Sequence, residues 1–185
     1  MTGGNCLAAL FATSGEVEEA VQKLERAGYD LNLAVSVLGR LFRPDAEPDG
    51  KARKSRQPSN RWCRKFDDFA LFPNTGIGQI VVCGPMVNGM LDALTCGEGS
   101  DALPALATAL AAAGFPERGI GRYGTALARG HILLLLKDSP SRVDRAAQVL
   151  ATGREIELAV HQGRNGPLHL NCPSPVANSD NGDHI

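Results

Sequence analysis

The sequence has no excess of charge of either sign. Its 185 residues include 19 lysines and arginines against 20 aspartates and glutamates, which gives a formal net charge of -1 at pH 7. Nucleic acids and anionic membranes attract proteins that present a strongly basic field. The charge balance therefore predicts no nucleic-acid partner, and it identifies no other partner.

Long hydrophobic runs are also missing. A transmembrane helix needs roughly 18 uninterrupted apolar residues. The apolar stretch that follows residue 76 is interrupted by Gln79, Pro85, Asn88 and Asp92, and another stretch spans only residues 102–115. We expect no integral membrane segment, whereas a peripheral contact with a membrane stays open.

The first residues, MTGGNC, do not show the charged segment and apolar core of a secretory leader. The five cysteines are odd in number and widely scattered, which is more typical of a reducing compartment than of an exported disulfide framework. These two features predict a cytoplasmic protein.

Recognisable metal and cofactor motifs are scarce. His161, His169 and Cys172 are the only cluster of soft ligands, and their spacing matches no zinc template. A G-x-G-x-x-G pattern occupies residues 119–124, but the strand that must precede a dinucleotide-binding turn is not predicted there. The sequence predicts neither a metal site nor a cofactor.

Composition favours a single domain over residues 1–162. Within it, residues 43–65 contain eight lysines and arginines, three acidic residues and three prolines, which is typical of a disordered basic linker that could touch an acidic surface. Residues 163–185 are rich in Gly, Pro, Asn and Ser without periodicity and predict a flexible tail.

One pattern occurs twice, over residues 6–38 and 131–162. Each copy begins with an apolar run, residues 7–11 or 132–136, followed by apolar positions at helical spacing. The helical positions are Val17, Ala20, Val21 and Leu24 in the first copy and Val143, Ala146, Ala147 and Leu150 in the second. Each copy therefore predicts a strand and then a helix.

Capping hydroxyls and alternating residues complete each copy. Ser14 precedes the first helical run, and Ser139 or Ser141 precedes the second. Apolar and polar residues then alternate over residues 31–37 and 156–160, as in half-buried strands. Both copies thus read as strand, helix, strand.

Two such units form the split β-α-β pattern of ferredoxin-like folds. We predict an α+β fold with a four-stranded sheet, in which residues 7–11 and 132–136 are the adjacent central strands. A glycine- and alanine-rich helical insertion over residues 73–129 separates the two repeats.

The apolar side chains on one face of this sheet need cover, because the two repeat helices can cover only the other face. Leu10, Leu133 and Leu135 are among these side chains. Either the middle helices of the same chain or a second copy of the protein could cover them. We predict a homo-oligomer in which these three leucines lie in the interface.

Three blocks carry a resemblance to a known family. They are LAALFATSGEVEEAVQKLERAGYDL, FPNTGIGQIVVCGPMVNGML and GFPERGIGRYGTALARGHILLLLKDSPSRVDRAAQVLA. In order and spacing they are similar to small bacterial general stress proteins related to heat-induced stress proteins. The resemblance implies a non-enzymatic, stress-associated protein, and it equates Arg122 and Tyr123 with the Arg-Tyr pair that opens the second unit of the family.

The chain departs from that family before the glycine-rich turn. Where the family has a long apolar helix, this sequence has RWCRKFDDFALF, with five charged residues. Charged residues in a membrane span cost roughly 2.5 to 3.5 kcal/mol each. The membrane insertion that the resemblance would imply is therefore not expected here, whereas a peripheral contact stays open.

Two functions from different classes remain. The first is a non-enzymatic structural or interaction protein that self-associates. The alternative is a small-molecule sensor or small enzyme with a pocket between the sheet and the middle helices. Arg122 and Tyr123 could bind an anionic ligand or partner, or could cap a helix and fill a groove. The adjacent acids at residues 18–19 and 67–68 splay apart on a helix, so no catalytic residue is assigned.

Overall fold

The computed structural model describes residues 5–40, 53–54, 61–72, 78–96, 102–151 and 155–161. The strands are β1 (Asn5–Phe11), β2 (Val35–Arg40), β3 (Arg53–Lys54), β4 (Phe69–Phe72), β5 (Ile80–Cys83), β6 (Ile132–Asp138) and β7 (Glu157–His161). The α-helices are α1 (Ser14–Arg26), α2 (Leu31–Ala34), α3 (Met86–Cys96), α4 (Ala102–Ala112), α5 (Glu117–Ala128) and α6 (Pro140–Leu150), and a 3-10 helix spans Arg61–Lys65. The α+β class agrees with the prediction from the sequence.

The cap of the first repeat helix is Thr13, one residue before the predicted cap Ser14, which is the first residue of the helix. The Thr13 hydroxyl accepts a hydrogen bond from the Glu16 backbone N–H, and the Glu16 carboxylate accepts one from the Thr13 backbone N–H. This reciprocal pair satisfies two N–H groups that the first turn would otherwise leave unpaired. In α6, Ser139 is the cap residue, but its side chain makes no capping hydrogen bond.

The strands form one sheet in the order β3-β4-β5-β2-β6-β1-β7, and every pairing is antiparallel. β1 and β6 lie side by side, with Leu7 opposite Leu136 and Phe11 opposite Ile132. Both strands have neighbours on both sides, as their two-faced apolar runs predict.

The sheet extends beyond the four strands expected from the repeats. β4 and β5 continue it past β2, so the interval 73–129, predicted to be helical, also supplies a strand. The run from Ile80 to Val82 is β-branched, and such side chains favour a pleated surface. The predicted alternating strand over residues 31–37 is also wrong at its start, because Leu31–Ala34 is a helical turn capped by Asp30.

Two layers of helices cover the two faces of the sheet. One face packs against α1, α6 and the 3-10 helix, and the other packs against α3, α4 and α5. Leu10, Leu133 and Leu135 lie on the second face and are at most 5% exposed. The middle helices of the same chain therefore cover these leucines. Their predicted place in an interface between copies is corrected, because a second copy cannot reach them.

A disulfide joins Cys63 of the 3-10 helix to Cys83 of β5, with their Cα atoms 6.0 Å apart. Both cysteines are buried, and so is the neighbouring Trp62. The scattered spacing of the cysteines predicts no such pair, because a sequence separation of 20 does not reveal that the two residues are close in the fold. The end of the basic segment, Arg61–Lys65, is thus a helical turn that contributes Trp62 and Cys63 to the core, which corrects the prediction of disorder for these residues.

Parts of the predicted domain organisation lie outside the described residues. These are most of the linker over residues 43–65 and the whole tail over residues 163–185. Within the described ranges, none of the helices combines the length and the apolar character needed to cross a membrane.

Candidate functional site

The predicted pair Arg122 and Tyr123 lies on α5 and contacts β7. The Tyr123 hydroxyl is 2.8 Å from Nε2 of His161, and Arg122 forms an ion pair of 2.7 Å with Glu157. Phe115 completes an aromatic cluster, with edge-to-face contacts to both Tyr123 and His161. The pair therefore fastens the last strand to the helix that covers it.

Burial determines the ionisation of this cluster. It raises the pKa of Tyr123 to about 12, Glu157 adds to the rise, and Arg122 opposes it. Burial also lowers the pKa of His161, and the nearby Glu157 carboxylate opposes that shift. Tyr123 therefore stays protonated and cannot act as a base near neutral pH. Of the two roles considered for Arg122 and Tyr123, the geometry favours the structural one.

Stability should depend on His161 at acid pH. The pKa of His161 is lower in the folded protein than its ordinary value of 6.5, so the unfolded chain binds its proton more readily. The contribution of neutral His161 is therefore present above pH 6.5 and is lost as the pH falls below it. We expect the unfolding midpoint of the wild type to drop more than that of His161→Gln between pH 7.5 and about 5.

The measurement is thermal unfolding of both proteins across that pH range. The difference between the unfolding midpoints of the two proteins at each pH removes the contributions of carboxylates, which titrate in both proteins. Parallel pH profiles for the two proteins would contradict the prediction.

A cavity of about 290 Å³ lies between the sheet and the middle helices. Its floor consists of Ser36 of β2 with Leu135, Leu136 and Lys137 of β6. Its walls come from the start of α3 and the end of α4, and Leu33, Ala34 and Phe115 complete the lining. The wall residues are Pro85, Met86, Gly89, Ala109, Ala112 and Ala113. Glycine and alanine at these positions leave the space that larger side chains would fill.

Two polar side chains interrupt the apolar lining. The Ser36 hydroxyl is buried and accepts a hydrogen bond of 3.0 Å from the Met86 backbone N–H, which fixes the start of α3 against the sheet. Lys137 of β6 is exposed, and it contributes a positively charged side chain to the lining of the cavity. Among the described residues that line this cavity none is acidic, so the formal charge that they carry, on Lys137, is positive.

A buried thiol lies next to the cavity. Cys6 pairs with Lys137 across β1 and β6, and its Sγ donates a hydrogen bond of 3.0 Å to the carbonyl oxygen of Ala113. Burial raises the pKa of Cys6, and the charge of Lys137 opposes that rise. Because the thiolate is the reactive form, Cys6 is poorly suited to act as a nucleophile.

A pocket between the sheet and the middle helices is one of the two alternatives that the sequence predicts, but the sequence does not indicate Ser36 or Lys137 as lining residues. Lys137 is a charged residue directly after the apolar run of the second repeat, and this position was the available signal. For Ser36, no signal in the sequence indicated the approach of Met86, 50 residues further along the chain.

The remaining motifs lie away from this cavity. The glycines of residues 119–124 are inside α5, not in a turn between a strand and a helix. Of the soft-ligand cluster, His161 contacts Tyr123, whereas His169 and Cys172 lie outside the described residues. Across the ranges that the structure describes, no three His, Cys, Asp or Glu side chains are grouped as a metal site requires.

Comparison with known proteins adds no assignment. No family model, no curated protein and no solved structure matches the sequence.

Proposed function

We propose that this protein binds a small apolar molecule with an anionic group, in the cavity between the sheet and helices α3 and α4. The cavity is the observation that supports this proposal. Its volume of about 290 Å³ is at the lower end of ligand pockets, which range from roughly 300 to 1,000 Å³. This size suits a short-chain or single-ring carboxylate better than a nucleotide or another large cofactor.

The lining supports the chemical class. Carbon atoms from leucine, alanine, methionine and phenylalanine dominate it, so the body of the ligand should be apolar. Lys137 supplies the positive charge for an anionic head group. Because its side chain is exposed, the charge should contribute only a several-fold preference, as exposed ion pairs stabilise by about 0.2–1 kcal/mol.

Binding is favoured over catalysis. Among the residues that line the cavity, no histidine or carboxylate is available as a general acid or base, and the Ser36 hydroxyl is already bound by the Met86 N–H. We therefore propose a binding or sensing role and no enzymatic activity.

The test uses hexanoate as the probe and hexylamine as a probe with the same chain length and the opposite charge. Burying five carbons at about 0.8 kcal/mol each gives about 4 kcal/mol, which corresponds to a Kd near 1 mM. Such affinities can be measured by following protein amide signals during NMR titration. We expect hexanoate to bind several-fold more tightly than hexylamine, and this preference to disappear in Lys137→Met.

Two neighbouring alanines of α4 provide a matched pair of variants. Ala112 lines the cavity, whereas Ala111 is exposed on the same helix and does not. Ala112→Leu should weaken hexanoate binding by at least about tenfold, because three added carbons occupy the space that the ligand needs. Ala111→Leu should bind as the wild type does. Equal binding by both variants would refute the cavity as the site, and equal binding of both probes would refute the anionic class.

The finer description of the fold is also a proposal. We propose that β2, β6, β1 and β7, together with α1 and α6, form a ferredoxin-like pair of split β-α-β units. Their spatial order and the matching positions of the two helices in the repeats support it. The stress-associated role and the cytoplasmic location stay predictions. The first rests on the three-block resemblance, and the second rests on the sequence features given above.

A further inference from the structure

β7 forms one of the two edges of the sheet. β7 is the terminal strand, and no strand among the described residues pairs with its outer side. Ile156 and Val160 are 52% and 42% exposed, and Leu158 between them is only partly buried. These three side chains and the outer backbone of Glu157–His161 are called the β7 edge below.

The other end of the sheet differs. There the terminal strand β3 has only two residues, Arg53 and Lys54. Very short and basic terminal strands discourage pairing with further strands. β7 has five residues and an apolar stripe, so it lacks this protection.

The sequence of β7, ELAVH, is complementary to itself when two copies run antiparallel. The register that pairs all five residues places Ala159 opposite Ala159 of the partner subunit. It then places Glu157 opposite His161 of the partner subunit, and Leu158 opposite Val160 of the partner subunit. A carboxylate meets an imidazole at each end, and apolar side chains meet between them.

Contacts within the chain prepare β7 for this pairing. Arg122 holds Glu157, and Tyr123 holds His161, both from the face of the sheet that α5 covers. Because these contacts come from the face, they leave the outer edge of the strand open while fixing both side chains near the pairing line. A pre-ordered strand loses less conformational entropy when it binds a partner.

We propose that two copies of this protein form a symmetric dimer by antiparallel pairing of their β7 edges, which continues the sheet from one copy into the other. This surface differs from the leucine face considered in the sequence analysis, which is buried within the chain. A five-residue edge buries less area than the roughly 800 Å² per partner of a standard interface. The dimer should therefore be weak and should dissociate on dilution.

The first experiment measures mass by sedimentation over a dilution series. The wild type should approach twice the monomer mass of 19.5 kDa at high concentration and fall towards the monomer mass on dilution. Val160→Lys should stay monomeric at every concentration, because it sets a charge against Leu158 of the partner subunit. Leu33→Lys is the control for a charge on an exposed apolar side chain, since Leu33 is 78% exposed and belongs to α2, not to the β7 edge, and it should dimerise as the wild type does.

The second experiment tests the register. Directly opposite residues in an antiparallel pair have Cβ atoms about 4.5–5.5 Å apart, which a disulfide can span after a small adjustment. Ala159→Cys should therefore form a covalent dimer under mild oxidation, whereas Val160→Cys and the wild type should do so far less.

A wild type that is monomeric at all concentrations would overturn the dimer, as would a dimer that Val160→Lys leaves intact. Equal cross-linking of Ala159→Cys and Val160→Cys would overturn the register. Circular dichroism of each variant confirms that its fold is retained, so loss of structure cannot be taken for loss of pairing.

Discussion

Replacement of Gly84 by alanine is expected to lower the free energy of unfolding by more than about 3 kcal/mol, or to prevent folding altogether. Gly84 joins β5 to α3 with φ of +86°, a conformation that L-residues with a side chain rarely adopt. A Cβ there would lie 2.2 Å from the backbone carbonyl oxygen of Val35. That atom belongs to β2, so the clash cannot be relieved by a side-chain rotation.

Gly89, five residues later, provides the control. It lies inside α3, and a Cβ at this position would meet no atom within 4 Å. Gly89→Ala should therefore raise stability by about 0.5–1 kcal/mol, because alanine favours the helix more than glycine does. Urea unfolding followed by circular dichroism measures both variants. A Gly84→Ala protein within about 1 kcal/mol of the wild type would contradict the account of this turn.

Loss of the Cys63–Cys83 disulfide should give the second large effect. The bond closes a loop of about 20 residues, and the entropy of such a loop in the unfolded chain corresponds to about 3 kcal/mol. The combined variant Cys63→Ala and Cys83→Ala should lose about this amount relative to the oxidised wild type. Reduction of the wild type should have a similar effect.

Urea unfolding with and without dithiothreitol tests this prediction. The double variant should not respond to the reductant, because its disulfide is already gone. Cys6→Ala, which removes a buried thiol outside the disulfide, should respond as the wild type does. A wild type whose stability is the same in both conditions would contradict a stabilising disulfide.

The same bond bears on the predicted cytoplasmic location, because disulfides are rare in reducing compartments. Rapid acid denaturation of whole cells, followed by alkylation with a maleimide in denaturant, would label Cys63 and Cys83 if they are thiols in the cell, because unfolding exposes these buried side chains. Labelling of both would agree with the predicted location, whereas protection of both would place the protein in an oxidising compartment.

The sequence by itself determined the centre of the sheet and the helices packed on one of its faces. The runs at residues 7–11 and 132–136 are apolar at every position. This pattern indicates strands that are covered on both faces of a sheet, and the two runs form β1 and β6. Apolar spacing placed α1 and α6 for a similar local reason, since both helices bury one stripe. These features follow from the pattern of apolar residues within each short segment of the sequence.

Tertiary structure alone decided the features that join distant segments. Ser36 meets Met86, Cys63 meets Cys83 and Tyr123 meets His161, although 50, 20 and 38 residues separate the members of these pairs. The extra strands β4 and β5 are short. β5 is a strand because β2 offers an edge for it to pair with, and β4 pairs in turn with β5. The cavity likewise depends on how closely α3 and α4 approach the sheet. No local pattern encodes such distances, because they depend on how the whole chain packs.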